Sequence, residues 1–486
     1  MTPYAVAVVG AGFAGVAVVD ALARAGVRDV VVVDERGAVG GRWLDRHDPG
    51  ARSRGSLSES TLRHRDRTPA ERSPSAPAMV GYLQRVGAWA GIGQKLVHDR
   101  VTRAAQQSDG SWTLTLASGS QLHARALVLA TGHEGEPVVP EVRGTDAFEG
   151  PLLHTHVWQS DLDLAGRRVA VLAPGVDGRS PAAGHLSATE HVHTAAALAE
   201  QGADVLVFSP GQPWVLPERP DADPVDLWTS NRRVDAAGQR LRDVGRVVRT
   251  GLPPAARVPW ALAEGALDPT PLPWQRAMQA STALARQHLD PEAVELHHAS
   301  SPLSRGTVRS EAWFEQVAAG GITLHRTAVH RIAPDAVVDV QGTRHRVDAL
   351  VLATGAHPVG PGAGIEGLDA ADGGLLADWA PHLGTLGRVP NLFVTHGPAS
   401  DLPVGGDAAL HGARAALVAR LVRTLVSSDA RRVVATPRAV EAWERRVTDL
   451  QRRAGLVPDP QAVMWPGLRR DLLRLLRGRP EDFVLS

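Results

Sequence analysis

The sequence predicts an α/β protein built on two βαβ units, each with a glycine turn between its first strand and its helix. The first unit reads AVAVVGAGFAGVAVVDALARAGVRDVVVVD, an apolar run, a glycine turn, an alanine-rich segment and a second apolar run. The second unit begins at Arg167 with RRVAVLAPGVDG. Two such units in 486 residues favour two lobes, because a chain of this length exceeds one compact core.

The first glycine turn has the features of a dinucleotide site. Gly10, Gly12 and Gly15 let the backbone turn tightly and approach a pyrophosphate, and the following helix offers unpaired N–H groups and a positive dipole end. Asp34 ends the second strand, where an acid accepts hydrogen bonds from a ribose. Side chains alternate along a strand, so Glu35 faces the other way and we assign the ribose contact to Asp34. The alternative is a purely structural glycine turn.

Composition excludes several functional classes. The 52 basic and 52 acidic side chains balance, so we expect neither a nucleic acid nor an anionic membrane as a partner. The chain has no cysteine, which excludes disulfides, thiolate metal sites and redox dithiols, so redox chemistry requires a bound cofactor. No apolar run reaches the roughly 18 residues that span a bilayer, and the first strand starts near Tyr4. We therefore expect a cytoplasmic protein.

Further elements follow in order. Alternating patterns predict strands between the two units, and the last of these runs into Ala130, Thr131 and Gly132, a typical exit from a nucleotide-binding sheet. Apolar residues at helical spacing predict a helix over 78–90. The remaining predicted elements are strands over 95–104, 111–117, 121–129, 204–208, 321–329, 336–340 and 345–352, a strand and loop in 389–400, and helices over 189–200 and 408–426, with more helices in the tail.

The second glycine turn is poorer than the first. Ala173 stands where the first glycine is expected, and about a dozen extra residues separate Gly175 and Gly178 from the helix. A second ATG, at 353–355, suggests that the chain leaves the first lobe and returns to it. We therefore predict a discontinuous first dinucleotide domain at 1–150 and 341–486, with an inserted Rossmann-like domain at 151–340 that carries a Pro- and Trp-rich cap at 212–302.

A segment between the two units resembles a known family. FEGPLLHTHVW places Phe148, Gly150, His154 and Trp158 in the pattern FxGxxxHxxxW, which is the fingerprint of Baeyer-Villiger monooxygenases and related class B flavin-containing monooxygenases. GAGFAG, GGRW, DPGAR, FSPGQPWVLP, VPNLFVTHGP and both ATG strands also resemble family segments in family order. In that family the fingerprint segment links the lobes, so we expect His154 and Trp158 to have a structural or coupling role.

The resemblance implies FAD in the first lobe and a nicotinamide nucleotide, NADPH or NADH, in the second. It implies a monooxygenase that transfers one oxygen atom from O₂ through a flavin peroxide to a small organic substrate. The product is an ester or lactone, or an N- or S-oxide, depending on the protonation of the peroxide. The implied cofactor-binding residues are Gly10, Gly12, Gly15, Asp34, Gly41, Arg42, Trp43, Val101, Ala130, Thr131, Gly132, Gly397 and Pro398 for FAD, and Gly175 and Gly178 for the nicotinamide.

The sequence departs from the family at the positions that decide the reaction. Arg54 stands where ketone-oxidising relatives carry an aspartate, and Thr307 stands opposite it in place of an arginine, with Arg305 and Arg309 nearby. Either Arg54 supplies the missing cation or the ketone chemistry is lost, and we predict Arg54, Thr307 and Arg305 as catalytic residues. Pro210 replaces the basic residue that holds the 2′-phosphate of NADPH in relatives, which leaves NADPH, NADH or neither as the donor.

Two other functions stay open on these residues. One is a flavoprotein that has lost direct nicotinamide use, and therefore works as an oxidase that forms hydrogen peroxide or accepts electrons from a separate reductase. The other is a non-enzymatic FAD-binding protein. A metal centre is not predicted, because without cysteines or patterned carboxylates the histidines read as packed or solvated: His156, His191, His193, His297 and His298.

Overall fold

The computed structural model describes residues 3–55, 60–62, 73–158, 162–177, 189–218, 281–291, 294, 307–370, 373–376, 382–383, 385–396, 407–453 and 475–486. Its helices are α1 (Phe13–Arg24), α2 (Ala76–Trp89), α3 (Glu190–Glu200), α4 (Glu311–Ala318), α5 (Asp407–Ser427) and α6 (Pro437–Arg453). Its strands are β1 (Tyr4–Val9), β2 (Val30–Asp34), β3 (Leu96–His98), β4 (Val101–Gln106), β5 (Trp112–Leu116), β6 (Gln121–Leu129), β7 (Glu134–Pro137), β8 (Leu152–His154), β9 (Arg168–Leu172), β10 (Asp204–Phe208), β11 (Trp214–Leu216), β12 (Thr307–Arg309), β13 (Ile322–His325), β14 (Val329–Ala333), β15 (Ala336–Asp339), β16 (Arg344–Arg346), β17 (Ala349–Leu352), β18 (Ala356–Pro358), β19 (Leu392–Val394), β20 (Val433–Ala435) and β21 (Phe483–Leu485).

The first lobe contains a sheet that has seven strands among the described residues, in the order β3-β2-β1-β6-β5-β4, with β19 also paired to β6. Strands β1, β2, β3, β6 and β19 are parallel, whereas β4 and β5 form an antiparallel extension. The apolar runs of β1 and β2 are buried on both faces, as expected of strands in a sheet covered on both sides. Helices α1, α2 and α5 cover one face, so the first predicted βαβ unit is confirmed.

The second lobe contains a parallel sheet in the order β13-β10-β9-β17-β8. Helix α3 links β9 to β10, so the second βαβ unit is confirmed as well. Helices α3 and α4 cover one face of this sheet, and the antiparallel sheet of β14, β15 and β16 covers the other. Helix α4 begins at Ser310, whose hydroxyl accepts a hydrogen bond from the backbone N–H of Trp313 at 3.2 Å.

The chain returns to the first lobe later than the sequence pattern suggested. We expected residues 341–486 to belong to the first lobe, but β17 pairs in parallel with β8 and β9 inside the second sheet. The antiparallel ribbon of β7 and β18 then connects the lobes, and β19 rejoins the first sheet at β6. An apolar strand ending in ATG has the same local pattern in either sheet, so only the pairing identifies the sheet to which it belongs.

Several other boundaries differ from the predictions. The pattern at 95–104 covers β3 and most of β4, the pattern at 321–329 covers β13 and the first residue of β14, and the pattern at 345–352 covers most of β16 and all of β17. The predicted tail helices include α6, but β20 and β21 also pair there as a two-stranded antiparallel sheet. These strands have three residues each, which is too short for alternation to reveal them. Most of the predicted cap, 219–280 and 295–302, lies outside the described residues.

Candidate active site

A cavity of about 470 Å³ opens beside the first glycine turn. Its walls come from the turn itself, the end of β2, residues 40–43, the loop around Arg54, the residues that follow β6, and the N-terminal part of α5. The predicted cofactor residues that line it are Gly10, Gly12, Asp34, Gly41, Arg42, Trp43, Val101, Ala130, Thr131 and Gly132. The fold therefore brings together ten positions that lie up to 122 residues apart in the chain.

Each glycine of the turn has its own steric requirement. Gly10 has φ +105°, and a Cβ there would lie 2.3 Å from the carbonyl oxygen of Ala130. A Cβ on Gly15 would lie 1.9 Å from the carbonyl oxygen of Gly10, so this glycine lets α1 pack against the turn rather than lining the cavity. Gly12 faces Gly41 across the cavity wall, where a Cβ on Gly41 would lie 2.6 Å from the Cα of Gly12. Because these two backbones approach each other closely, Gly12 and Gly41 contribute no side chain to this part of the cavity wall.

Asp34 holds the turn in place as well as lining the cavity. Its Oδ2 accepts a hydrogen bond from the backbone N–H of Ala11 at 2.7 Å, and its Oδ1 accepts one from the N–H of Arg36 at 2.9 Å. The backbone N–H of Asp99 also donates to the carbonyl oxygen of Asp34, at 3.3 Å. Asp34 therefore joins the glycine turn to the segment that carries Val101, whereas the neighbouring Glu35 is exposed and pairs with Arg36.

A further part of the cavity is lined by cationic and imidazole side chains, Arg42, Arg54, His133 and His396, together with the carboxylate of Glu134. We call this part of the cavity the distal end. The rings of His133 and His396 stack with centroids 3.7 Å apart. Burial, reinforced by Arg42 and Arg54, lowers the pKa of His133 to about 3, and burial also lowers the pKa of His396 well below its ordinary value. Both imidazoles are therefore neutral near pH 7, and Arg42 and Arg54 supply the positive charge.

Polar and charged side chains from the two lobes contact each other next to Arg42 of the distal end. Glu190, the first residue of α3, accepts hydrogen bonds from Arg46 at 2.6 Å and from the hydroxyl of Thr155 at 2.9 Å. Its Oε1 also lies 3.5 Å from a guanidinium nitrogen of Arg42, and Arg42 pairs in addition with Glu134. We call Arg42, Arg46, Glu134, Thr155 and Glu190 the interlobe cluster, because Arg42 and Arg46 belong to the first lobe and Glu190 to the second.

Burial and neighbouring charges together set the pKa values of the interlobe cluster. Burial by itself raises the pKa of Glu190, but Arg46, His156 and Arg42 outweigh it and lower the pKa to about 2. Burial and the charge of Arg46 lower the pKa of Arg42 to about 10. Near pH 7 Glu190 is thus an anion, and Arg42 and Arg46 are cations.

The predicted catalytic residues occupy different places. Arg54 is half-buried and lines the cavity, and its carbonyl oxygen accepts a hydrogen bond from the backbone N–H of Arg309 at 3.3 Å. Thr307 is buried on β12, two residues from that contact, and is not among the residues that line the cavity. The guanidinium of Arg309 donates to the carbonyl oxygen of Pro217 at 2.9 Å. Arg305 lies outside the described residues, as do Gly178, Gly397 and Pro398.

The fingerprint histidine lies where the chain crosses between the lobes. Nδ1 of His154 accepts a hydrogen bond from the backbone N–H of His156 at 3.0 Å, so Nε2 carries the proton and faces the carbonyl oxygen of Val138 at 3.3 Å. The hydroxyl of Thr354, in the second ATG, donates to the same carbonyl oxygen. His154 is not among the residues that line the cavity, and its contacts join the two linker segments.

The described part of the second glycine turn does not border this cavity. Gly175 has φ +77° and lies in the second lobe, where Ala173 is fully buried. Among the described histidines of α3, His191 lies 3.4 Å from the side-chain oxygen of Gln212, and His193 lies 2.8 Å from the carbonyl oxygen of Arg309. No group of three possible metal ligands occurs in the part of the chain that the structure describes. Within the same residues, no helix is long and apolar enough to cross a membrane.

Sequence reasoning missed several residues of the site. His133 and Glu134 come directly after Gly132, and this position at the carboxyl end of a parallel strand is where ligands bind in α/β sheets. Glu190 is the second residue of the helix predicted over 189–200, and an acid so close to its N-terminus was a signal of altered phosphate binding. No local pattern pointed to His396 or to Arg46, because their positions depend on contacts distant in sequence.

Known proteins resemble this chain in sequence and in fold. Residues 8–62 match the model of the NAD(P)-binding Rossmann-like domain. A Baeyer-Villiger monooxygenase of Streptomyces coelicolor is 25% identical over 478 residues, covering 92% of this chain and 84% of that protein. The phenazine N-monooxygenase PhzNO1 of Lysobacter antibioticus is 33% identical over 180 residues, covering 35% of this chain and 33% of that protein. The structure of an oxidised steroid monooxygenase bound to NADP is similar in fold, with a TM-score of 0.71, 20% identity, and coverage of 100% of this chain and 99% of that one.

The two Rossmann-like sheets and the cavity at the first glycine turn define a dinucleotide-binding protein with two Rossmann-like domains. Similarity to named relatives over almost the whole length narrows the class. The chain is similar over almost its whole length to Baeyer-Villiger monooxygenases, and these relatives are flavin-dependent oxidoreductases.

Proposed function

We propose that this protein is an FAD-dependent monooxygenase that uses O₂ and NADPH or NADH to oxygenate a small organic substrate. The observation that carries the proposal is the cavity that extends from the glycine turn to Arg42 and Arg54. Such a cavity suits a dinucleotide whose phosphates lie at the turn and whose reactive ring lies at the distal end.

The residues present fit FAD. Gly12 and Gly41 give a wall without side chains that a pyrophosphate can approach, next to the N-terminus of α1. Asp34 and Val101 line the part of the cavity at the end of β2, where we expect the ribose and the adenine. We assign the rest of the FAD site to Gly10, Arg42, Trp43, Ala130, Thr131 and Gly132, with Gly15 in a packing role and Gly397 and Pro398 as expected further contacts.

When bound, FAD supplies the hydride acceptor and the means of activating O₂. Arg42 and Arg54 give the distal end a positive potential that favours negative charge as it develops. His133 and His396 are neutral there, so each offers a donor or an acceptor without adding charge. The partial burial of these side chains limits the access of water, which protects a reactive species from decay.

The identity of the oxygen acceptor depends on proton placement at the distal end. The charge of Arg54 would stabilise negative charge at the distal end and would favour the formation of an ester or lactone from a ketone. A proton held at the distal end would instead favour an N- or S-oxygenated product. The similarity to PhzNO1 extends over 35% of the chain and keeps nitrogen among the acceptors to test.

Anaerobic mixing with NADPH or NADH tests the proposal. We expect the absorbance of the oxidised flavin to bleach. In a separate turnover experiment under labelled O₂ with a panel of ketones, amines and sulfides, we expect one labelled oxygen atom in the product. Flavin that neither nucleotide reduces contradicts the use of a nicotinamide donor. Product that lacks the label contradicts a monooxygenase.

A second candidate is a flavoprotein oxidase, or an oxygenase served by a separate reductase. Ala173 in the second turn and the carboxylate of Glu190 at the start of α3 favour it, because both weaken a phosphate site. It predicts stoichiometric hydrogen peroxide without oxygenated product, or activity only when a reductase is added.

A further inference from the structure

The first residue of α3 has an unusual environment for a dinucleotide-binding lobe. In a βαβ unit the pyrophosphate lies at the N-terminus of the helix, where backbone N–H groups and the helix dipole favour an anion. Helix α3 connects β9 to β10 in this way, yet its first residue is Glu190, whose carboxylate is 11% exposed. An anion that belongs to the protein therefore lies within the first turn of this helix.

The cations next to Glu190 belong to the first lobe. Arg46 bonds Glu190 at 2.6 Å and is itself 7% exposed, and Arg42 lies 3.5 Å from the same carboxylate oxygen. Arginine is the side chain that binds phosphate groups most specifically, through paired N–H donors. Glu190 thus uses two guanidinium groups that face the second lobe near its helix terminus.

We infer that Glu190 determines the affinity of the second lobe for its nicotinamide nucleotide, by taking the anion position at α3 and the guanidinium groups of Arg42 and Arg46. A dinucleotide pyrophosphate that approaches α3 meets a like charge, and it gains these arginines only when Glu190 releases them. This inference rests on the proposed use of a nicotinamide nucleotide and names the residue that limits its binding.

The arrangement links nucleotide binding to the distal end of the cavity. Arg42 lines the cavity, and its guanidinium contacts Glu190 of the second lobe and Glu134 of the first. When Glu190 releases Arg42, the ion pair between Arg42 and Glu134 is intact. A nucleotide at α3 therefore changes the charge around Arg42, a residue of the proposed FAD site.

Binding of NADP⁺ to the oxidised, FAD-loaded protein, measured by titration calorimetry without turnover, tests the inference. We expect Glu190→Gln to lower the dissociation constant by about tenfold or more, because the amide keeps the size of the side chain and one acceptor oxygen for Arg46 but not the charge. Glu190→Asp keeps the charge and is expected to bind NADP⁺ within about threefold of wild type. Glu200→Gln removes the same charge from the exposed far end of α3 and serves as the matched control.

The outcomes separate this inference from the proposed function. Tighter binding in Glu190→Gln supports it, including when the unaltered protein binds NADP⁺ too weakly to measure. Unchanged or weaker binding in Glu190→Gln, with a normal FAD content and melting temperature, overturns it and leaves Glu190 as an ion-pair partner between the lobes. If Glu190→Gln does not fold, equal binding by Glu190→Asp and Glu190→Ala overturns it. Anaerobic flavin reduction by NADPH tests the proposed function independently, because reduction at saturating nucleotide does not depend on the affinity.

Discussion

The backbone N–H of Arg309 donates a hydrogen bond to the carbonyl oxygen of Arg54, 3.3 Å away. Arg54 lies in the loop after GGRW of the first lobe, and Arg309 ends strand β12 of the second lobe. The contact uses backbone atoms and leaves the side chain of Arg54 on the wall of the cavity. Within the described part of the segment that the sequence aligned opposite Arg54, residues 307–309, Arg309 makes this backbone contact to the loop.

Replacing Arg54 tests its assignment to the distal end. We expect Arg54→Ala to lower the rate of oxygen transfer by about 10- to 100-fold, as for the loss of one charge-stabilising group. FAD content is expected to stay near wild type, because the glycine turn is unchanged. The ratio of oxygenated product to hydrogen peroxide measures this. Arg52→Ala is the control, since Arg52 is exposed, bonds the carbonyl oxygen of Ser73 and does not line the cavity. Equal coupling in both variants would return Arg54 to a surface role.

Gly12 tests the position of the FAD pyrophosphate. A Cβ on Gly12 would lie 3.5 Å from the Cα of Gly41. The branched side chain in Gly12→Val would therefore extend into the cavity beside the turn, where we place the pyrophosphate. We expect the purified variant to be colourless, and apoprotein titration to show at least 100-fold weaker FAD binding, on the order of 3 kcal/mol. Gly93→Val is the control, because no atom lies within 4 Å of a Cβ at Gly93. A yellow Gly12→Val protein would refute the assignment.

His193 predicts how stability depends on pH. Burial lowers its pKa from 6.5 to about 4, against the opposing effect of the hydrogen bond to the carbonyl oxygen of Arg309. The unfolded chain therefore binds a proton below pH 6.5 that the folded protein does not bind until about pH 4. The free energy of unfolding falls as the pH falls through this window, by up to about 3 kcal/mol for this group.

Chemical denaturation between pH 7 and pH 4 measures that slope. His193→Gln keeps a donor for Arg309 but does not titrate, so we expect its stability to fall less steeply with decreasing pH, by close to one proton. His47→Gln, at an exposed position, supplies the matched control for the removal of one histidine. Parallel curves for wild type and His193→Gln would contradict the prediction.

Gly50 tests the packing between the lobes. It belongs to the DPGAR segment of the first lobe, and a Cβ there would lie 2.3 Å from the backbone nitrogen of Thr194 in α3. We expect Gly50→Ala to reduce stability by about 1 to 3 kcal/mol, because the atoms that the Cβ would meet belong to the backbone of His193 and Thr194 and cannot rotate away. Thermal unfolding of the FAD-loaded protein measures the effect, and Gly360→Ala, with open space around its Cβ, is the control. Equal melting temperatures would show that the loop moves away from α3 without cost.

The sequence predicted the local features of the first lobe well, because those features are themselves local. Gly10, Gly12, Gly15 and Asp34 lie within one βαβ unit, and their spacing reflects a turn geometry that recurs wherever a backbone approaches a pyrophosphate. The cavity includes three of them, and Gly15 packs against the turn. The resemblance at FxGxxxHxxxW likewise identified the kind of flavoprotein, which the similarity to relatives confirms.

The catalytic assignment was harder, since it depended on residues from distant segments. Arg54 reaches the cavity as predicted, whereas Thr307 is buried on β12, and its catalytic role stays a prediction together with that of Arg305. Alignment placed the segment but not its contacts, because these depend on how the two lobes pack against each other.

By itself, the sequence determined the two βαβ units, the position of the first dinucleotide site and the family to which the motifs point, because each depends on a short pattern of backbone geometry. Only the tertiary structure decided which sheet receives the second ATG strand, and which charges meet between the lobes. Glu190 and Arg46 are 144 residues apart in the chain and bond at 2.6 Å. Such a pair depends on the packing of one lobe against the other, and no local periodicity encodes it.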